Sequence, residues 1–373
     1  VSGGDVVVAG WTGATNLGDE LVHAGIRRLL ARVGVDDPLV VSQRPDVTRA
    51  AFGGRAVGPA AGLAAIRTAR LLVWGGGGIV QDETSSLNLP YHLARPAAAV
   101  SGRVPFVGVG LGVGPLVGAT AARQVRLLRR AVGLTVRDPA SAELLTRVGV
   151  PGAVVASDAA LALDPVDVPT QDVLVASLRP WEPSVTGAAR LLPVSLRARL
   201  RGGAAGGTGS EDEARLAHHA AVLDAAAAAT GLPVRLVALD TAEDAPLLTA
   251  VADRLRCDVD LVVPGVHDVV GTIAAARVVV AMRYHAGIAA TLGGRPLVAL
   301  SYSPKVTALA TALGSGAARL PWDAAPADVA TAAARLAEDD TAPAAVAAAR
   351  DALRGRASAH EALLARALAA APS

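Results

Sequence analysis

Arg283 and His285 stand two residues apart in Met282-Arg283-Tyr284-His285-Ala286, just where an apolar run ends. The run Ala276–Ala281 is rich in valine and reads as a buried parallel strand. Ile288–Leu292 reads as the first turns of a helix. The pair therefore falls in the turn at the carboxyl end of a strand, the edge at which open α/β sheets bind ligands. A guanidinium offers a planar fork to a carboxylate or phosphate, and an imidazole titrates near neutrality. Together they suit proton transfer on an anionic substrate. Two more arginines have the same placement. Arg179, in Ser177-Leu178-Arg179-Pro180-Trp181, follows a strand and is expected to enter the same cleft, with Trp181 as an apolar wall. Arg137 ends another strand, before Asp138 and Ser141. There a structural role competes with ligand binding: Asp138 capping the next helix, with Arg137 as its ion-pair partner.

Two glycine-rich segments offer backbone rather than side chains. Gly10-Trp11-Thr12-Gly13-Ala14-Thr15-Asn16-Leu17-Gly18-Asp19-Glu20 follows the first strand. Its glycines have the wrong spacing for a dinucleotide fingerprint, and no Lys-Ser/Thr pair makes it a phosphate loop. Close backbone approach to a ligand remains open to it, with Asn16 and Asp19 as polar groups at the sheet mouth; either also serves as a helix cap. Gly75-Gly76-Gly77-Gly78 follows the strand Ala69–Trp74 and leads to Gln81-Asp82. It reads as a strand-to-helix turn whose N–H groups, Gly76 and Gly77 among them, can receive an anion or a sugar. His218 and His219 are adjacent on a polar helix and are expected to be solvated; His92 and His267 are undecided. No histidine or carboxylate cluster has metal-ligand spacing.

Composition narrows the class. The 373 residues are 52% apolar, yet no uninterrupted run is long enough to span a membrane. Net charge is +2, Lys305 is the only lysine, and no basic block interleaves with aromatics, which disfavours nucleic-acid binding. The single cysteine, Cys257, excludes an internal disulfide framework and fits a reduced, cytoplasmic setting.

The elements that must position these residues alternate regularly. Strands are predicted at Asp5–Gly10, Pro38–Ser42, Ala69–Trp74, Val104–Gly110, Leu134–Arg137 and Ala153–Ser157, with helical patterns between them. Pro165 to Gln171 has no helical period and reads as a linker. The pattern restarts with strands at Asp172–Ser177, Val234–Leu239, Asp260–Val263, Val278–Ala281, Leu297–Ser301 and Ala318–Leu320. An irregular segment, Glu182–Gly209, lies between the first two of these, and the tail after Pro326 reads as two helices. The expected fold is α/β: two doubly wound Rossmann-like domains, 1–168 and 169–373, facing a cleft in the manner of the glycosyltransferase-B type.

Five motifs in order resemble the polysaccharide pyruvyl transferase family, and the subfamily acting on cell-wall polysaccharide most closely. They are Asn16-Leu17-Gly18-Asp19-Glu20; Gly75–Gly78 with Gln81-Asp82; Ser177–Trp181; Arg283-Tyr284-His285-Ala286; and Ser301-Tyr302-Ser303-Pro304-Lys305-Val306. The resemblance implies transfer of the pyruvyl group of phosphoenolpyruvate to a sugar, leaving a pyruvate ketal. Arginine forks match both the carboxylate and the phosphate of that donor, so neither a metal nor a further cofactor is expected. The acceptor would be a saccharide, free or lipid-linked, the latter met at the inner face of the membrane. His285 would serve as acid or base, with Arg283 and Arg179 holding the donor and Arg137 as a weaker candidate. Asn16, Asp19, Gln81 and Asp82 would face the sugar from the first domain.

Two other readings compete. A nucleotide-sugar-dependent glycosyltransferase shares the architecture, and a non-catalytic sugar- or anion-binding protein would bind without releasing phosphate. Fold alone does not choose among them.

Overall fold

The computed structural model describes residues 4–83, 85–180 and 209–371. Trp181 and nearly all of the irregular segment 182–209 lie outside the described residues. The chain forms two parallel sheets flanked by helices. The first holds β1 (Val6–Thr12), β2 (Leu39–Ser42), β3 (Arg55–Val57), β4 (Leu71–Val80), β5 (Phe106–Val113), β6 (Gly133–Val136) and β7 (Val154–Val155), in the order β3-β2-β1-β4-β5-β6-β7. The second holds β8 (Leu174–Ser177), β9 (Val234–Val237), β10 (Val259–Val262), β11 (Val278–Ala281), β12 (Leu297–Ser301) and β13 (Ala317–Pro321), in the order β10-β9-β8-β11-β12-β13. Strand order reverses between β1 and β4 in one sheet and between β8 and β11 in the other. Those switch points open crevices at the carboxyl ends of the strands. This is the predicted architecture, two Rossmann-like sheets of the glycosyltransferase-B kind.

Central strands are covered by helices on both faces, so their side chains are apolar without alternation. All four residues of Val278–Ala281 are buried, as are Val6–Ala9. Each such valine stabilises the fold by roughly 1.5–3 kcal/mol over an exposed one.

Three expectations need correction. The run Gly75–Gly78 is not a turn: β4 continues through it to Val80. Gly75, Gly76 and Gly77 have φ of 126°, 84° and 76°, a backbone that side chains rarely adopt. A Cβ on Gly76 would sit 2.0 Å from the Val22 side chain. The bare strand thus lets the helix Leu17–Arg32 lie directly on it. His219 is buried rather than solvated, because its helix, Gly209–Thr230, packs along the helix Pro326–Glu338. The tail folds as three helices, Pro326–Glu338, Ala342–Arg356 and Ser358–Ala370. The last returns to the first sheet, against β5 and β6. His360 on it is fully buried; its Nε2 donates to the Ser157 carbonyl at 3.0 Å, and its Nδ1 meets Thr135 Oγ1 at 2.8 Å. A neutral imidazole has one N–H, so Nδ1 accepts the threonine proton. Among the described residues no helix is long and apolar enough to cross a membrane.

The sheets also meet across the cleft. Leu17 N–H donates to Leu239 O at 2.7 Å, and Thr15 Oγ1 to Asp240 Oδ1 at 2.9 Å. Asn16 and Asp240 form an antiparallel bridge. This pairing fixes the first loop against the second sheet.

Candidate active site

The carboxyl ends of both sheets enclose a cavity of about 300 Å³. The first sheet contributes Trp11 near the end of β1, Asn16 and Asp19 after it, Gly78, Ile79 and Gln81 at the end of β4, and Arg137 after β6. The second contributes Arg179 after β8, Asp240 and Glu243 after β9, Arg283 and His285 after β11, and Tyr302 and Lys305 after β12.

His285 lies in the first turn of the helix Tyr284–Leu292 and is largely buried. Its Nε2 is 3.7 Å from Asp158 Oδ2, an ion-pair distance longer than a hydrogen bond. Asp158 is fully buried and caps a short turn, its Oδ1 accepting Ala160 N–H at 3.0 Å. Burial alone would push its carboxyl up; His285, Arg137 and the Ala160 N–H outweigh that and hold it at about 2. On its other side, the His285 ring lies against the backbone of Gly18. A Cβ there would come within 2.2 Å of Nδ1. Only a glycine at this point of the first loop admits the imidazole from the second sheet.

The arginines differ in what they already hold. Arg283 gives its Nε to Asp244 at 3.0 and 2.8 Å, and its Nη2 to Asp244 and, at 3.2 Å, to Glu243. The fork that the sequence assigns to the donor is therefore engaged by Asp244, which is itself inaccessible to solvent. Arg137 is also buried, but its contacts are looser: 3.4 Å to Asp138, 3.6 Å to Asp158, and 5.0 Å from the Tyr284 ring centroid. Its Nε has no hydrogen-bond partner among the described residues. Its guanidinium lies flat on Gly112, where a Cβ would meet it at 2.3 Å. Asp138 does cap the helix Pro139–Arg147 through Ser141 N–H at 2.8 Å, so the structural role and the cleft position coexist.

Arg179 donates to the Tyr302 hydroxyl at 3.1 Å and stands 3.8 Å from Glu243. Lys305 Nζ is 5.7 Å from the Tyr302 ring centroid. Burial would raise the Tyr302 phenol, but Lys305, Arg179 and Arg283 together bring it down to about 7. Burial pushes Lys305 down. Asp19 shows the opposite balance: burial raises its carboxyl to about 6, against the pull of His285, Lys305 and Arg283.

The first-sheet candidates separate. Asn16, Asp19 and Gln81 line the cavity, with Asn16 also capping its helix through Gly18 N–H at 2.9 Å. Gly76 and Gly77 do not line it: Gly76 packs beneath Val22, and Gly77 lies beside Asp19 Oδ1. Asp82 is turned away from the cavity as well. Its two oxygens accept Val117 and Gly118 N–H, each at 2.6 Å, which satisfies the buried carboxylate away from the cavity. His92 lines the cavity, and burial and Arg95 lower its imidazole to about 3. His267 instead bonds Ala51 O at 2.7 Å. Among the described residues no three His, Cys, Asp or Glu side chains cluster as a metal site would require.

Sequence reasoning missed Asp158, Glu243, Asp244, Tyr284 and Tyr302 as site residues. For Asp158 and Tyr302 a signal existed, since each follows a predicted strand at its carboxyl end. For Asp244 there was none, because its partner Arg283 is 39 residues away.

A model of a family described as polysaccharide pyruvyl transferase matches residues 16–304. No curated protein sequence matches significantly. Among solved structures, the Anabaena protein Alr3699/HepE in complex with UDP and glucose is similar at a TM-score of 0.62 and 13% identity, covering 98% of this chain and 100% of that one. The S. aureus MnaA–UDP structure gives 0.60 and 11%, covering 92% and 90%. A Neisseria meningitidis UDP-GlcNAc 2-epimerase bound to UDP-GlcNAc gives 0.60 and 11%, covering 97% and 100%. At these identities the likeness concerns the fold.

Proposed function

The chain belongs to the polysaccharide pyruvyl transferase family, and from that premise we propose that it moves the pyruvyl group of phosphoenolpyruvate onto two hydroxyls of a saccharide. The saccharide is part of a cell-surface polysaccharide or of its lipid-linked precursor, reached from the cytoplasmic face of the membrane. In this reading residues 1–168 form the acceptor side and 169–373 the donor side. The observation that carries it is the meeting of Arg137, Arg179 and Lys305 around the His285–Asp158 pair. A small trianion needs that density of cations and does not need a metal in principle.

The proton accounting fits the groups present. One hydroxyl adds to donor carbon 2 while carbon 3 takes a proton and becomes a methyl. A second hydroxyl then displaces phosphate. Two hydroxyl protons are lost; one ends on carbon 3 and one leaves with phosphate. His285 delivers the proton to carbon 3, and the ionised Asp158 stabilises the imidazole while it carries charge. Asp19, with a carboxyl near 6, can take a hydroxyl proton at neutral pH. Arg137 is the better placed to grip the donor carboxylate, with Arg179 and Lys305 on the phosphate. Arg283 acts behind them, holding Asp244 and Glu243.

Nucleotide-sugar transfer is the rival, given the UDP complexes among the structural neighbours. Thermal protection separates the two. Phosphoenolpyruvate, without added metal, is expected to raise the melting temperature and UDP to leave it unchanged. Protection by UDP alone would contradict the proposal.

A further inference from the structure

At the mouth of the cleft one aromatic side chain stands in solvent. Trp11, near the end of β1, is 37% exposed and is the one exposed aromatic among the described residues. Its ring meets Tyr91 edge to face at 5.7 Å and 82°, and His92 at 5.4 Å and 65°. Both braces are themselves held. Gln43 donates to the Tyr91 hydroxyl at 2.6 Å, and the Arg95 guanidinium lies 4.0 Å from the Tyr91 centroid. The chain after Trp11 is tied down too: Gly13 N–H reaches Glu20 at 2.7 Å, and Arg44 Nε reaches Gly13 O at 2.8 Å.

An indole gains a large transfer free energy from burial, so keeping one exposed and immobile opposes the ordinary drive of folding. It stands on the cavity wall beside the amides of Asn16, Gln81 and Asn88. A flat apolar face next to amides matches a pyranose ring. The ring's C–H face packs on the π surface, and its hydroxyls bond to the amides at the edge. The donor, a small trianion, has no use for such a surface.

We propose that Trp11 is the stacking platform of the acceptor subsite. It takes the C–H face of an uncharged pyranose and so turns a pair of ring hydroxyls toward Asp19 and His285. The inference rests on the reading of the site as a pyruvyltransferase and adds the residue that selects the saccharide.

The test compares wild type, Trp11→Ala and Trp11→Phe. Saturation-transfer NMR with methyl glycosides of glucose, galactose, mannose and their 2-acetamido forms reads ring contact without turnover. Phosphate release from phosphoenolpyruvate with the same glycosides reads turnover, and calorimetry reads donor binding. Ring-proton saturation is expected in wild type and Trp11→Phe but not in Trp11→Ala. Acceptor kcat/KM is expected to fall about tenfold or more in Trp11→Ala, with donor affinity unchanged. Saturation or acceptor kcat/KM undiminished in Trp11→Ala overturns the platform, as does the absence of ring saturation across the whole panel. Trp11-dependent saturation with no phosphate release supports the platform and removes the pyruvyltransferase reading. Phosphate release equal in Trp11→Ala and wild type does the reverse.

Discussion

At its His285 end the cleft gathers Arg137, Asp158, Arg179, Tyr302 and Lys305 into one ionic network; at its Trp11 end it offers an indole, amides and an imidazole held neutral. The charged end is where an anion gains most, since cations freed from water interact strongly. The other end suits a polyol, whose ring and hydroxyls carry no charge. Within the charged end a second contrast matters. Arg283 already has its fork on a buried carboxylate, whereas Arg137 has carboxylates at 3.4 and 3.6 Å and a buried Nε that makes no hydrogen bond among the described residues. An arginine of the first kind builds the wall, and one of the second kind is poised for a ligand.

The largest expected effect is at His285. His285→Ala should lower turnover by ~10²–10⁴-fold while donor binding persists, because it removes an acid–base group and leaves the cations in place. Single-turnover rates with calorimetric donor binding on folded protein decide this. A near wild-type rate would move proton transfer elsewhere in the cleft, to Asp19 or Tyr302. Next, Arg283→Ala strands the Asp244 carboxylate without its partner and should cost about 3–5 kcal/mol of stability. Urea unfolding reads that loss, and adding Asp244→Ala should recover part of it. If Arg283→Ala weakens donor binding with stability intact, the contrast between the two arginines is misassigned.

Arg137→Ala should weaken phosphoenolpyruvate binding by roughly ten- to a hundredfold, the loss of a charge-assisted contact of about 1.5–3 kcal/mol. Arg137→Lys should recover little, because an ammonium lacks the fork. Equal donor affinity in Arg137→Ala would break the comparison from the other side. The smallest effect concerns Asp19. Burial lifts its carboxyl from 3.8 to about 6, so the folded chain holds that proton more tightly than the unfolded one. Ionising it therefore costs stability as pH rises from about 4 to 6. Asp19→Asn should be more stable than wild type above pH 6 and equal to it below pH 4. The same variant should lose the activity rise that wild type shows through pH 6. Parallel denaturation curves and pH–rate profiles check both signs.

The valine runs made most strands legible, since a strand buried on both faces carries no alternation to be mistaken for another period. The short edge strand Arg55–Val57 was missed because three residues hold no pattern. The glycines of β4 misled for a physical reason. Glycine has little intrinsic preference for a strand, and here the strand exists because a helix packs on its bare backbone. Placement at strand ends was enough to find His285, Arg137, Asn16, Asp19 and Gln81 on the cavity wall. It could not tell that Asp82 spends both oxygens on a neighbouring loop, nor that Arg283 is claimed by Asp244. Those facts depend on which distant partners burial brings together.

The central claim, an anion at one end of the cleft and a sugar at the other joined by transfer, is tested by incubating the protein with phosphoenolpyruvate and candidate saccharides, free and lipid-linked. Phosphate release and the mass of the saccharide are followed together. Stoichiometric phosphate with a mass gain of one pyruvate ketal, abolished in His285→Ala, is the predicted result. Glycosyl transfer from a nucleotide sugar, with phosphoenolpyruvate left intact, would contradict it.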